Sequence, residues 1–163
     1  MLWDTPFVNS QGAGPRGGPE ACLGSKRYEP DREKIRALLI EIDALARDTM
    51  DAIARRSKQL DIDVTSCRSL EEAQAALKQV HFDVIYLDYW LGSETSVSFI
   101  HALDAQHGPP CVVLTDLDEP DIRRIAFRAG AQAFLSKESL NSQALEGVTL
   151  AVLRGRIGAR SAA

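Results

Sequence analysis

The sequence is short of three things, and each shortage removes a class of function. Cysteine comes first: among 163 residues only Cys22, Cys67 and Cys111 carry a thiol. An odd number, widely spaced, with no CxxC pair and no Cys/His cluster, argues against a disulfide framework and against a zinc site. Buried or incidental thiols in a reducing cytoplasm are expected. Positive charge is second. The formal net charge is −4 and the pI near 5.4, which leaves no electrostatic footprint for nucleic acid. The third is a long apolar run. None approaches the length that spans a bilayer, and the opening "MLWDTPFVNS" lacks the basic region and apolar block of a secretory signal. The expectation is a cytoplasmic protein with neither a nucleic acid nor a membrane as partner. What is plentiful is core material: 45% of the residues are hydrophobic, and the length suits one domain.

Residues 1–30 differ from everything that follows. Gly and Pro crowd positions 12–19 and no helix or strand period can be traced, so a flexible tail is expected, with Trp3 and Phe7 as a candidate docking motif. From residue 31 to 156 the pattern is regular. "IRALLIEI" suits a buried strand, and "ALARDTMDAIARRSKQL" follows with apolar residues at helical spacing. "DIDVTSC" is a second strand. Ser69, with Glu72 three residues on, makes a capping box for the helix "LEEAQAALKQV". "FDVIYLDYW" is a third strand, followed by the loop "LGSETS" and the helix "VSFIHALDAQ". "CVVLTD" is a fourth, and "EPDIRRIAFRAG" a helix with Pro120 in its first turn and Gly130 at its end. "AQAFLSK" is the fifth strand and "NSQALEGVTLAVLRGR" the last helix, leaving residues 157–163 as a short C-terminal tail.

Five apolar strands alternating with five helices imply a doubly wound parallel sheet, α/β class, with helices on both faces. Such a sheet binds its ligand beyond the carboxyl ends of the strands. There the chain offers Glu41, Ile42 and Asp43 after the first strand, Asp88 after the third, Thr115 after the fourth and Lys137 after the fifth. Carboxylates, a hydroxyl and an ammonium at one edge are the equipment for phosphoryl transfer to a carboxylate. An Asp attacks, a hard cation held by oxygen ligands neutralises charge, and Thr and Lys hold the remaining oxygens.

With those residues in view, the segment 36–154 resembles a response-regulator receiver domain of two-component signalling. "VIYLDYW" is similar to the strand carrying the phosphoacceptor, which gives that role to Asp88. "VVLTD" matches the conserved hydroxyl with Thr115, and "AFLSKE" the invariant lysine with Lys137. Arg47 matches an arginine early in the first helix, and Phe134 the aromatic switch position that works with Thr115. The resemblance implies magnesium held by Glu41, Asp88 and the backbone carbonyl of Trp90. It also implies a phosphoryl group received from the phosphohistidine of a sensor histidine kinase or phosphotransfer protein, and an output through a further protein partner. Because only "IGARSAA" follows the last helix, a stand-alone single-domain regulator in a phosphorelay is expected, one that catalyses only its own dephosphorylation and is otherwise not an enzyme.

The departures are specific. The family offers two adjacent acids after the first strand, whereas here Ile42 takes the second place and Asp43 falls one residue later. Either Asp43 turns in as a substitute ligand, or the cation keeps fewer protein ligands and more waters, with lower affinity. The favoured expectation is a weakened site that still functions. Trp90 is expected to wall off part of the pocket, and Glu138 stands where a proline commonly follows the lysine, so no cis peptide is expected there. His81, His101 and His107 are scattered and expected at the surface. Arg123, Arg124 and Arg128 form either a solvated basic helix face or a docking surface, and the sequence leaves open a homodimer through the fourth and fifth helices. Two other classes remain: a phosphorylation-independent pseudo-receiver serving as an interaction module, which Ile42 favours, and a flavodoxin-like cofactor binder. The second is opposed by "EIDALARD", which has no Ser/Thr/Gly-rich cradle for a phosphate.

Overall fold

Alternate residues of "EKIRALLI" face opposite sides, and in strand β1 (Glu33–Ile40) both sides are covered: Leu38 and Ile40 enter one core, Ala37 and Leu39 the other. The computed structural model of the protein describes residues 31–117 and 119–161, with side chains as far as 155. The tail expected over 1–30, with Trp3, Phe7 and Cys22, lies outside the described residues.

Helix α1 (Ala44–Arg55) is followed by strand β2 (Leu60–Cys67), helix α2 (Leu70–Gln79) and strand β3 (Val84–Asp88). Two short strands, β4 (Trp90–Leu91) and β5 (Glu94–Thr95), then pair antiparallel, with Gly92 at φ 71° in the turn between them. Helix α3 (Val97–Ala105), strand β6 (Cys111–Thr115), helix α4 (Pro120–Ala129) and strand β7 (Ala133–Ser136) follow. A 3₁₀ turn (Lys137–Ser139) and helix α5 (Ser142–Ser161) complete the chain. The main sheet is all parallel in the order β2-β1-β3-β6-β7, as the alternation of elements requires. From β1 the chain goes to β2 on one side and to β3 on the other. The order therefore reverses between β1 and β3, and the crevice opens there.

Each helix start and stop has a local cause. Asp43 caps α1, its Oδ1 accepting from Ala46 N–H at 2.8 Å. Ser69 Oγ accepts from Glu72 N–H, and Glu72 returns a bond to Arg68 N–H, one residue earlier than the usual reciprocal partner. Pro120 opens α4 and Gly130 closes it at φ 111°, where a Cβ would also stand 2.4 Å from that of Asp104 on α3. One core, under α2, α3 and α4, contains Ile85, Leu87, Phe99, Ile100 and Ala126. The other, under α1 and α5, contains Met50, Tyr86, Leu114, Leu145 and Val152. Two buried polar groups are tied in across the core: Tyr86 shares its hydroxyl with Thr149, and Glu146 on α5 accepts from Lys58 N–H and, at 2.8 Å, from Gln59 N–H.

Boundaries differ from the sequence reading at several places, and α1 ends at Arg55, short of the expected residue 60. β1 stops at Ile40, so Glu41, Ile42 and Asp43 lie beyond it and do not share a strand face. The third strand breaks after Asp88, and Trp90 belongs to the short ribbon. Lys137 opens the 3₁₀ turn. α5 continues to Ser161, past the end expected at residue 156. Among the described residues no peptide bond is cis, including that before Glu138, and no helix is long and apolar enough to cross a membrane.

Candidate functional site

The pairing register brings the strand ends level. Ile40 pairs with Leu87, Asp88 with Leu114, and Thr115 with Ser136. Hence Glu41, Asp88, Thr115 and Lys137 all leave the sheet at the same edge. Glu41 is still anchored to β2 through its N–H, which donates to the Cys67 carbonyl at 3.0 Å. Its own carbonyl and that of Ile42 accept from Arg47 Nη1, at 2.8 and 2.6 Å. Arg47 thereby turns the chain out of the sheet and fixes the loop between strand and helix.

At the centre is the Lys137 ammonium. Its Nζ lies 2.6 Å from Glu41 Oε2, 2.9 Å from Asp88 Oδ2 and 3.6 Å from Asp116 Oδ2. The Glu41, Asp88 and Lys137 side chains are only 6%, 13% and 16% exposed, whereas Asp116 is 74% exposed. Burial pushes the Asp88 carboxyl above the ordinary aspartate range. The bond and charge of Lys137 pull it back, and Glu41 pushes it up again. Burial opposes the charge on Lys137, but bonds to Asp88 and Glu41 outweigh that and hold its pKa above the ordinary lysine value. A carboxylate kept basic beside a firmly held cation is a suitable nucleophile toward an electrophilic phosphorus.

These groups line a cleft of about 410 Å³ that runs on between α1 and the 3₁₀ turn, past Leu45, Met50, Ile53 and Leu140. Among the described residues, no group of three or more His, Cys, Asp or Glu is arranged to hold a metal ion. The carboxylates fit a cation that needs only one or two from the protein and keeps several waters, as magnesium does. Glu41 and Asp88 are the two carboxylates of the cleft that such a cation would use.

Ile42 and Asp43 have other employment. Asp43, the expected substitute ligand, reaches the rim of the cleft, but its Oδ1 caps α1, and its N–H donates to Glu41 Oε1 at 2.9 Å. Ile42 is 46% exposed, and its Cδ1 would touch a Cβ placed on Gly92 at 3.6 Å. The split pair therefore contributes one carboxylate to the centre, from Glu41.

A matching family description, "Response regulator receiver domain", covers residues 37–148. The chain belongs to the receiver-domain family. Among curated relatives, the transcriptional regulatory protein BtsR of Escherichia coli (strain K12) is 30% identical over 103 residues, 63% of this chain and 42% of the relative. The chain thus spans less than half the length of that relative. The receiver domain of the Francisella response regulator 1452 has the same fold, with a TM-score of 0.62 and 19% identity over 75% of this chain and 98% of that one. So has a response regulator from Burkholderia pseudomallei, with a TM-score of 0.60 and 23% identity over 78% of this chain and 73% of that one. It is described as carrying a phosphorylated aspartic acid, a calcium ion and citrate.

As a receiver domain, the chain places its expected residues in two groups. Glu41, Asp88 and Lys137 meet in the cleft. Thr115 does not line it: the side chain is buried, and Oγ1 accepts from Leu117 N–H at 3.2 Å. Phe134 lies further along β7, with the Arg123 guanidinium 4.7 Å above its ring. Trp90 does not wall the cleft. It is 43% exposed, edge-on to Tyr89, and touches the site through its backbone N–H, 3.3 Å from Asp88 Oδ1. Arg124 pairs with Asp121 at 2.9 Å, so part of the basic face of α4 is solvated ion pairing. His81, His101 and His107 are exposed, as expected. Cys67 and Cys111 are buried free thiols, the latter pushed up to about 12 by burial. Sequence reasoning missed Asp116. The available signal was an acid directly after the hydroxyl residue at a strand end.

Proposed function

We propose that this receiver domain accepts a phosphoryl group on Asp88 from the phosphohistidine of a sensor histidine kinase or phosphotransfer protein, and that the charge change switches its binding to other proteins. The observation that carries this is Lys137 bridging Glu41 and Asp88 at the switch point of the sheet. In the transfer, the phosphorus–nitrogen bond to the donor imidazole breaks as the bond from the Asp88 carboxylate forms. Lys137 follows the negative charge onto the phosphoryl oxygens. Thr115, whose Oγ1 now accepts from Leu117 N–H, would rotate to donate its hydroxyl to the same oxygens. That rotation would release the loop leading to α4, where Arg123 rests on Phe134. Glu41, Asp88 and the Trp90 carbonyl would hold magnesium, which supplies charge neutralisation during transfer. Slow hydrolysis of the acyl phosphate resets the domain in the cytoplasm, and no reaction on an external substrate is assigned to it.

The test is intact-protein mass spectrometry after incubation with acetyl phosphate, with and without magnesium, on the wild type and on Asp88→Asn. A magnesium-dependent adduct that is absent from Asp88→Asn supports the reading. A wild type that takes no label from acetyl phosphate, and none from the monoanionic donor phosphoramidate, overturns it. A second reading, a phosphorylation-independent interaction module, draws on the exposed Ile42 where the family has an acid, and would then take its place.

A further inference from the structure

Asp116 adds a charge that the phosphoacceptor reading does not use. It follows Thr115 directly at the end of β6, lines the same cleft as Glu41 and Asp88, and places Oδ2 3.6 Å from Lys137 Nζ. The Lys137 ammonium is therefore shared by three carboxylates, one buried, one partly buried and one exposed.

A phosphoryl oxygen that binds Lys137 sits about 2.8 Å from its nitrogen. Wherever it binds around Nζ, it lies within about 6 Å of the Asp116 carboxylate. At that distance each unit of negative charge on the donor meets a repulsion equivalent to about threefold to tenfold in rate. The lower figure belongs to the dielectric constant of water and the higher to half of it. Asp116 also competes with the incoming oxygens for Lys137, which strengthens the effect in the same direction. Its exposure makes the repulsion a quantity that salt can screen.

We propose that Asp116 is a specificity-determining residue that makes the site discriminate among phosphodonors by charge, disfavouring small dianionic donors. A donor delivered by a bound protein partner gains association energy elsewhere on the surface and is affected less. The inference rests on the reading of Asp88 as acceptor.

The experiment compares acetyl phosphate, a dianion at neutral pH, with phosphoramidate, a monoanion. With the first, the phosphorus–oxygen bond to acetate breaks as the bond to Asp88 forms. With the second, a phosphorus–nitrogen bond breaks and ammonia leaves. Second-order labelling rates are measured far below saturation, with magnesium and at low ionic strength, on the wild type, Asp116→Asn and Asp116→Glu. Asp116→Asn should raise the acetyl phosphate rate about threefold to tenfold more than the phosphoramidate rate. That excess should shrink toward nothing near 1 M salt, where the Debye length is about 3 Å. Asp116→Glu, which keeps the charge, should behave like the wild type. Equal changes for both donors, or none, would overturn the inference while leaving Asp88 as acceptor. A wild type labelled by neither donor would remove the acceptor reading, and this inference with it.

Discussion

Replacing Lys137 with methionine keeps the length of the side chain and removes the charge shared by one buried and one partly buried carboxylate. Glu41 and Asp88 would then face each other with side chains only 6% and 13% exposed. Removing one partner of a buried ion pair costs about 3–5 kcal/mol. Asp88 already holds its proton more tightly than an ordinary aspartate, so it can relieve part of the repulsion by protonation. The loss should therefore lie near the lower limit, about 3 kcal/mol at neutral pH. With a urea dependence of about 2 kcal/mol per molar, the unfolding midpoint falls by about 1.5 M. The sign with pH follows from the raised pKa of Lys137. Its contribution is whole below the ordinary lysine value and fades only in alkali, so neutral solution shows all of it. In acid Asp88 takes up a proton and the difference between variant and wild type narrows. The assay is urea unfolding followed by circular dichroism across that range, with Glu41→Gln added to Lys137→Met as a control that should restore much of the loss. A midpoint shift below about 0.3 M, one unchanged in acid, or no recovery in the double variant would refute the reasoning.

Two further outcomes follow from the same geometry. Asp43→Ala should cost about 1 kcal/mol in unfolding experiments as a lost helix cap, with little change in magnesium affinity by fluorescence titration, whereas Ile42→Asp should tighten magnesium about tenfold. The folded protein disfavours the ionised form of Asp88, so Asp88→Asn should be stabilised relative to wild type at neutral pH. That advantage should vanish in acid below the ordinary aspartate value of 3.8, where the carboxyl is neutral in both folded and unfolded wild type, as a pH series of thermal melts would show.

Much of this was legible without coordinates because it depends on local pattern. The five strands are continuous apolar runs because both faces are covered, and that signal survives in one dimension. Ser69, Pro120 and Gly130 announced helix ends through chemistry confined to four or five residues. The end of β1 was not legible. "LLIEI" continues the apolar pattern, whereas the chain leaves the sheet where the Arg47 guanidinium takes the carbonyls of Glu41 and Ile42. The contraction of α1 to Arg55 and the extension of α5 to Ser161 likewise depend on packing and not on periodicity.

The sequence by itself determined the family, the parallel sheet, and which four strand ends would reach one edge, since alternating apolar runs and helices admit few topologies. Tertiary structure decided which of those groups are neighbours. The register that levels Ile40 with Leu87 gives Lys137 both Glu41 and Asp88, and the turn held by Arg47 puts Asp43 Oδ1 on the first turn of α1 as a helix cap. It also brought Asp116 within reach of the same ammonium. Distances of 2.6 to 3.6 Å between residues 21 to 96 positions apart are properties of pairing and packing, and a single chain written as letters does not contain them.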